Sequence, residues 1–165
     1  MFVRVRIVVA DESEARFYDI GGPRARLQLA GRVECPAARL HDRDLKSDRP
    51  GRVFDRAPAA TGRRGAVGHH GTGGERRPRK QEAQRFARQI VRTLEEARRE
   101  DRFDRLVLMA GPPFLGTLRA ALRKSVRATL VAEVAKDLVH QTEREVRTHL
   151  PREIFQTSAT PDQHP

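Results

Sequence analysis

From residue 36 to residue 80 the chain has no apolar run regular enough to build a core, and this gap divides it into halves of different character. Before the gap the apolar residues alternate or cluster in short β-branched runs. After it they recur at helical spacing, broken by short continuous runs. A connection of this length inside a compact domain is functional or disordered rather than incidental.

In the first half, Val3-Arg4-Val5-Arg6-Ile7-Val8-Val9-Ala10 alternates at its start and then becomes wholly apolar, which predicts a strand over 3–10 that ends buried on both faces. A second strand is predicted over 15–20. Gly21-Gly22-Pro23 turns the chain into a third over 25–34, which Pro36 closes. Three strands with short links make an antiparallel meander. In the second half, Phe86, Ile90, Val91, Leu94 and Ala97 form the apolar stripe of a helix over 81–100. Arg85, Arg88, Arg92 and Arg99 fall mostly on its other side, where they either extend a basic surface or pair with Glu82, Glu95, Glu96 and Glu100. Strands follow over 106–110 and 128–134, separated by Gly111-Pro112-Pro113 and a helix over 114–125. Thr142 and Glu145 form a capping box for a last helix ending near Leu150-Pro151. The order β-β-β, long basic loop, α-β-α-β-α predicts an α/β fold with a ribonuclease H-like mixed five-stranded sheet. The 165 residues, 38% hydrophobic, suit a single domain over 1–153 carrying a flexible loop at 36–80, with a disordered tail over 154–165.

The charge is concentrated in the gap. Residues 36–80 hold twelve Lys and Arg against five Asp and Glu, a surplus of seven within a chain total of +11. Six glycines lie between Gly62 and Gly74, so the backbone there can follow a partner's contour. Flexible glycine with arginine is the composition of a segment that meets phosphate. Arg49, Arg52, Arg63, Arg64, Arg76, Arg77, Arg79 and Lys80 are the expected phosphate contacts, and Gly73 and Gly74 permit close approach. The alternative is a solvated insertion without a ligand. Of the 33 basic residues 29 are arginine, a bias that explains the choice of Arg over Lys but not the excess of positive charge.

Catalytic and metal chemistries find little support. Cys35 is the only cysteine, so no disulfide framework or CxxC knuckle exists, and the thiol is expected to be packed and inert. A two-metal nuclease on this fold needs carboxylates clustered at strand ends. Asp11 ends the first strand, yet the 106–110 strand carries no carboxylate; Glu133 and Asp137 would have to approach. Asp11 therefore reads as a turn residue or salt-bridge partner. His69-His70 lacks a spaced partner ligand, and no metal or cofactor is expected. Neither a GxxxxGK[ST] phosphate loop nor a GxSxG elbow occurs. The apolar start, with Arg4 and Arg6 inside it, is too short to span a bilayer, so a cytoplasmic protein without a membrane anchor is expected.

Several groups of residues together resemble a bacterial family of host attachment proteins, required for attachment to host cells. They are Val9-Ala10-Asp11, Ala15-Arg16, Ser47-Asp48-Arg49-Pro50-Gly51-Arg52 with Phe54-Asp55, Glu82 with Phe86-Ala87, Leu106-Val107-Leu108, Pro112 with Phe114-Leu115-Gly116, and Lys136-Asp137-Leu138. The resemblance runs over about residues 3–151. That family is in turn similar to the catalytic-loop domain of archaeal and eukaryotic class I translation release factors, whose Gly-Gly-Gln loop precedes a long helix and enters the peptidyl transferase centre. Here Gly73-Gly74 is followed by Glu75, a carboxylate where the release factors hold a neutral amide, and Gln81 stands where the family has a histidine beside Glu82. The resemblance implies RNA or the ribosome as partner. The rival expectations are a hydrolase acting on peptidyl-tRNA, with Glu75 at its tip, and an interaction protein that supports attachment indirectly. No catalytic motif favours an enzyme.

Overall fold

The computed structural model describes residues 2–38 and 76–156. The first half supplies three strands, β1 (Val5–Ala10), β2 (Glu14–Ile20) and β3 (Gln28–Glu34). The second supplies β4 (Arg105–Ala110) and β5 (Leu130–Val134), with helices α1 (Arg76–Arg99), α2 (Pro112–Ala121), α3 (Lys124–Arg127) and α4 (Glu143–Thr148) and a final 3-10 helix, Arg152–Phe155. The strands form one sheet in the order β3-β2-β1-β4-β5. Only β2 runs against its neighbours; β1, β4 and β5 are parallel. This is the mixed five-stranded, ribonuclease H-like sheet that the order of elements predicts. Every residue of β1 is buried, which is why it takes the central place.

Side-chain alternation along the strands divides the core into two layers. Val8 and Ala10, with Phe17, Leu106 and Leu108, pack beneath α1 and α2 against Phe86, Ile90, Leu94, Phe114 and Leu118. Val5, Ile7 and Val9, with Tyr18, Val107 and Met109, face the other way, against Leu138, Val139, Val146 and Ile154. The sheet is thus covered on both faces. No helix among the described residues is long and apolar enough to cross a membrane.

Two charged residues are buried in the sheet, Glu14 at the start of β2 and Arg6 on β1. Arg6, the second residue of β1, is 4% exposed and directly opposite Asp19 in the antiparallel register. Its guanidinium donates from Nε and Nη2 to both Asp19 carboxylate oxygens, each at 2.7 Å, and lies 5.4 Å from the centre of the Phe103 ring. The paired geometry and the ring face together offset the desolvation of the cation. Arg4, two residues earlier and exposed, donates its backbone N–H and guanidinium to Asp104, tying the start of β1 to the turn before β4. The side-chain and backbone hydrogen bonds from Arg4 hold the Asp104 carboxyl below the usual carboxylate range.

Four boundaries differ from expectation, each for a physical reason. Helix α1 begins at Arg76 rather than at residue 81, so Arg76, Arg77, Arg79 and Lys80 belong to the helix and not to the loop. Arg and Lys are good helix formers, and Pro78 in the first turn lacks only an N–H that would have no helical partner. The expected 114–125 helix splits into α2 and α3, because Leu122 takes an extended conformation with ψ of 129°. Helix α2 also starts earlier, with Pro112 and Pro113 in its first turn, where their fixed φ favours the helix. The expected tail at 154–165 starts too early: Ile154 is 2% exposed in the second core layer, and Arg105 Nη1 donates to the carbonyls of Ile154 at 2.7 Å and Gln156 at 2.6 Å. The capping box is as read, with Glu145 Oε2 accepting from the Thr142 N–H at 2.9 Å and Thr142 Oγ1 from the Glu145 N–H at 3.3 Å.

Candidate functional site

Parallel pairing brings the C-terminal ends of β1 and β4 side by side, Ala10 opposite Ala110. The residues that follow, Asp11 and Gly111, line a cavity of about 450 Å³, which Cys35 and Asp137 reach from the chain beyond β3 and β5, and Arg79 and Glu82 from α1. Cavities at the carboxyl ends of parallel strands are where open α/β sheets bind ligands. The carboxylates here have structural duties first. Asp11 Oδ1 accepts the Ser13 N–H at 2.7 Å, the Ser13 hydroxyl at 2.8 Å and the Glu14 N–H at 2.8 Å, which locks the β1–β2 turn. Its other oxygen lies 3.7 Å from His140 Nε2. Asp11 is therefore a turn residue, with the exposed His140 ring near its second oxygen. Asp137 Oδ1 accepts the Val139 N–H at 3.3 Å.

Glu133 does not join them. Its carboxylate is bound by Arg119 at 2.7 and 2.6 Å, and that pairing raises the affinity of the guanidinium for its proton. Among the described residues no group of three or more His, Cys, Asp or Glu side chains could hold a metal ion. The Cys35 thiol is 8% exposed and packs into the first core layer at the edge of this cavity.

Of the expected phosphate contacts, only Arg79 and Lys80 have side chains among the described residues. Arg49, Arg52, Arg63, Arg64, Gly73, Gly74 and Glu75 lie outside the described residues, as do Ser47, Asp48, Pro50, Gly51, Phe54 and Asp55. Arg76 and Arg77 open α1. Arg79 and Lys80 are both exposed but part company: Arg79 lines the strand-end cavity, whereas Lys80 lines a groove of about 650 Å³ between α1 and α2. Lys136 is exposed beside Asp137.

That groove is the basic feature of the described surface. Lys80, Gln84, Arg88 and Arg92 line it from α1, and Arg123 from beyond the end of α2. The spacing of four residues stacks the α1 side chains along one face of the helix. Glu95 also lines the groove, but its carboxylate faces Arg123 Nε at 3.4 Å. No described carboxylate pairs with Lys80, Arg88 or Arg92, so of the two expectations for the α1 arginines these two follow the extended basic surface. The first turn of α1 carries no acidic residue at all. Arg123 is the member that sequence reading missed, because only the packing of α2 on α1 brings it to the groove. The repeat at 80, 84, 88 and 92 was the visible signal for the rest.

Asp11, Glu82, Phe114 and Asp137, scattered along the chain, meet around the strand-end cavity. A family model described as protein required for attachment to host cells matches residues 6–150. No curated protein matches the chain. Among solved structures it is similar to an archaeal protein, with 10% identity and a TM-score of 0.42 over 87% of this chain and 35% of that one. It is also similar to an archaeal translation termination factor, with 10% identity and a TM-score of 0.38 over 81% of this chain and 30% of the other. The chain spans about a third of the length of those structures. The family match takes in β1 from Arg6, strands β2 to β5, helices α1 to α4 and the residues that meet at the cavity, and by it the chain belongs to the family of proteins required for attachment to host cells.

Proposed function

We propose that this member of the host attachment family acts inside the cell and binds RNA or the ribosome through the Gly/Arg-rich segment and the helix that continues it. The observation that carries this reading is the start of α1. Helix N-termini bear a partial positive charge and favour Asp or Glu in the first turn. Here that turn has no acidic residue, and four of the first five positions of the helix are Arg76, Arg77, Arg79 and Lys80. The arrangement is unfavourable in the free protein and becomes favourable when phosphate groups sit against it. Arg49, Arg52, Arg63 and Arg64 add cations from the preceding segment, and Gly73 and Gly74 let the backbone approach.

Binding of this kind releases counterions, so the affinity for RNA falls steeply as salt rises. Fluorescence anisotropy of a labelled RNA across a salt series checks it. With about six phosphate contacts, affinity drops on the order of a thousandfold between 50 and 200 mM salt. An affinity indifferent to salt over that range contradicts the reading.

A further inference from the structure

The groove between α1 and α2 has a chemistry of its own, separate from the start of α1. We propose that it is the track for the backbone of a single-stranded RNA; the proposal rests on the phosphate-binding reading above and names the groove and the form of the nucleic acid. Cations stand on both sides, Lys80, Arg88 and Arg92 on α1 and Arg123 opposite. No described carboxylate pairs with the three on α1. Four residues of helix advance about 6 Å, so Arg88 and Arg92 lie one phosphate spacing apart and Lys80 about 12 Å further along the same row, with Gln84 between.

The floor is small and apolar. Gly116 and Ala121 on α2, with the buried Val91 on α1, leave room for sugars to settle between the two rows of charge. A single strand fits between such walls, whereas a duplex carries its phosphates on the outside of a cylinder and touches only the rim. The groove also holds acceptors among its donors, the Gln84 amide oxygen and the Glu95 carboxylate, whose side chain is 11% exposed. An acceptor-only carboxylate suits a group that donates, and on a nucleic acid backbone that group is the ribose 2′-hydroxyl.

The test is anisotropy with labelled oligouridine and its deoxy counterpart, titrated across salt with the full chain. Two double variants of equal charge loss are compared: R88Q with R92Q in the groove, and R85Q with R99Q elsewhere on α1. Glutamine keeps helix propensity, and all four positions are exposed, so folding is preserved. The groove variant is expected to bind RNA at least about tenfold more weakly at low salt and to flatten the slope of log affinity against log salt by about 1.4, at roughly 0.7 for each single-strand phosphate that is no longer neutralised. The control pair leaves that slope within about 0.3 of the intact chain. Equal effects of the two pairs on a chain that binds RNA overturn the track and spare the broader reading. Equal affinity for the deoxy strand overturns the ribose assignment. An intact chain that binds neither strand overturns both readings.

Discussion

Phe86→Ala is expected to lower the free energy of unfolding by about 3–5 kcal/mol, the usual range for truncating a buried phenylalanine. The ring is 1% exposed and lies parallel to Phe114, with centroids 6.0 Å apart and planes 19° from each other. This stack joins α1 to the first turns of α2, so it holds together the two walls of the basic groove. Aromatic pairing adds roughly 0.5–1.5 kcal/mol to simple burial, which places the site at the upper part of the range. Total stabilities of about 5–15 kcal/mol leave little margin for such a loss. Phe86→Leu keeps most of the volume and is expected to lose less than about 2 kcal/mol. Urea midpoints for the three proteins decide the matter. A loss below about 1 kcal/mol for the alanine variant would mean that α1 does not pack on the sheet and α2 through this ring.

The second large effect is asymmetric. Asp19→Ala leaves the Arg6 guanidinium, with a side chain only 5% exposed, without its carboxylate inside the sheet. Removing one partner of a buried ion pair costs about 3–5 kcal/mol, and because Asp19 is itself 37% exposed the lower end applies. Arg6→Met removes the other partner with a different result. Methionine fills the space beside Phe103, and Asp19 turns to water, so the change is expected to stay within about 1 kcal/mol of the original stability. Thermal unfolding of the two variants side by side separates these outcomes. Equal losses would mean that the pair is worth the same from both ends and that burial of the guanidinium is not what makes it fragile.

Much of this architecture was legible because local signals agreed with the global fold. The β-branched run of β1, the Gly21-Gly22-Pro23 turn and the Thr142 capping box each report on their own few residues, and each is where expected. Boundaries were lost where long-range contacts overrode local composition. Ile154 and Phe155, followed by polar residues, look like the start of a tail, yet the core beneath the sheet has a place for them and Arg105 fixes the backbone around them. Residues 76–80 look like the end of a basic loop, and helix propensity with a permissive Pro78 takes them into α1 instead.

The sites divided in the same way. Asp11 was recognisable as a strand-end residue, but its meeting with Asp137 and Glu82 depends on the parallel pairing of β1 with β4 and of β4 with β5. Arg88 and Arg92 were visible as one face of a helix. That Glu95 turns to Arg123, leaving them without a described carboxylate, depends on how α2 crosses α1. Chain position alone also grouped Arg79 with Lys80, although adjacent helical residues point about 100° apart and reach different depressions.

Sedimentation of the tagged chain through a sucrose gradient of cell lysate at low salt tests the functional account most directly. Beside it runs a variant lacking residues 62–74, a deletion that removes the glycine-rich stretch and leaves α1 whole. The account predicts that the intact chain travels with ribosomal particles, that raising the salt strips it off, and that the shortened chain, which keeps the cations of α1 but loses Arg63, Arg64 and the glycines, is stripped off at lower salt. An intact chain that remains at the top of the low-salt gradient, level with the deletion variant, would contradict it.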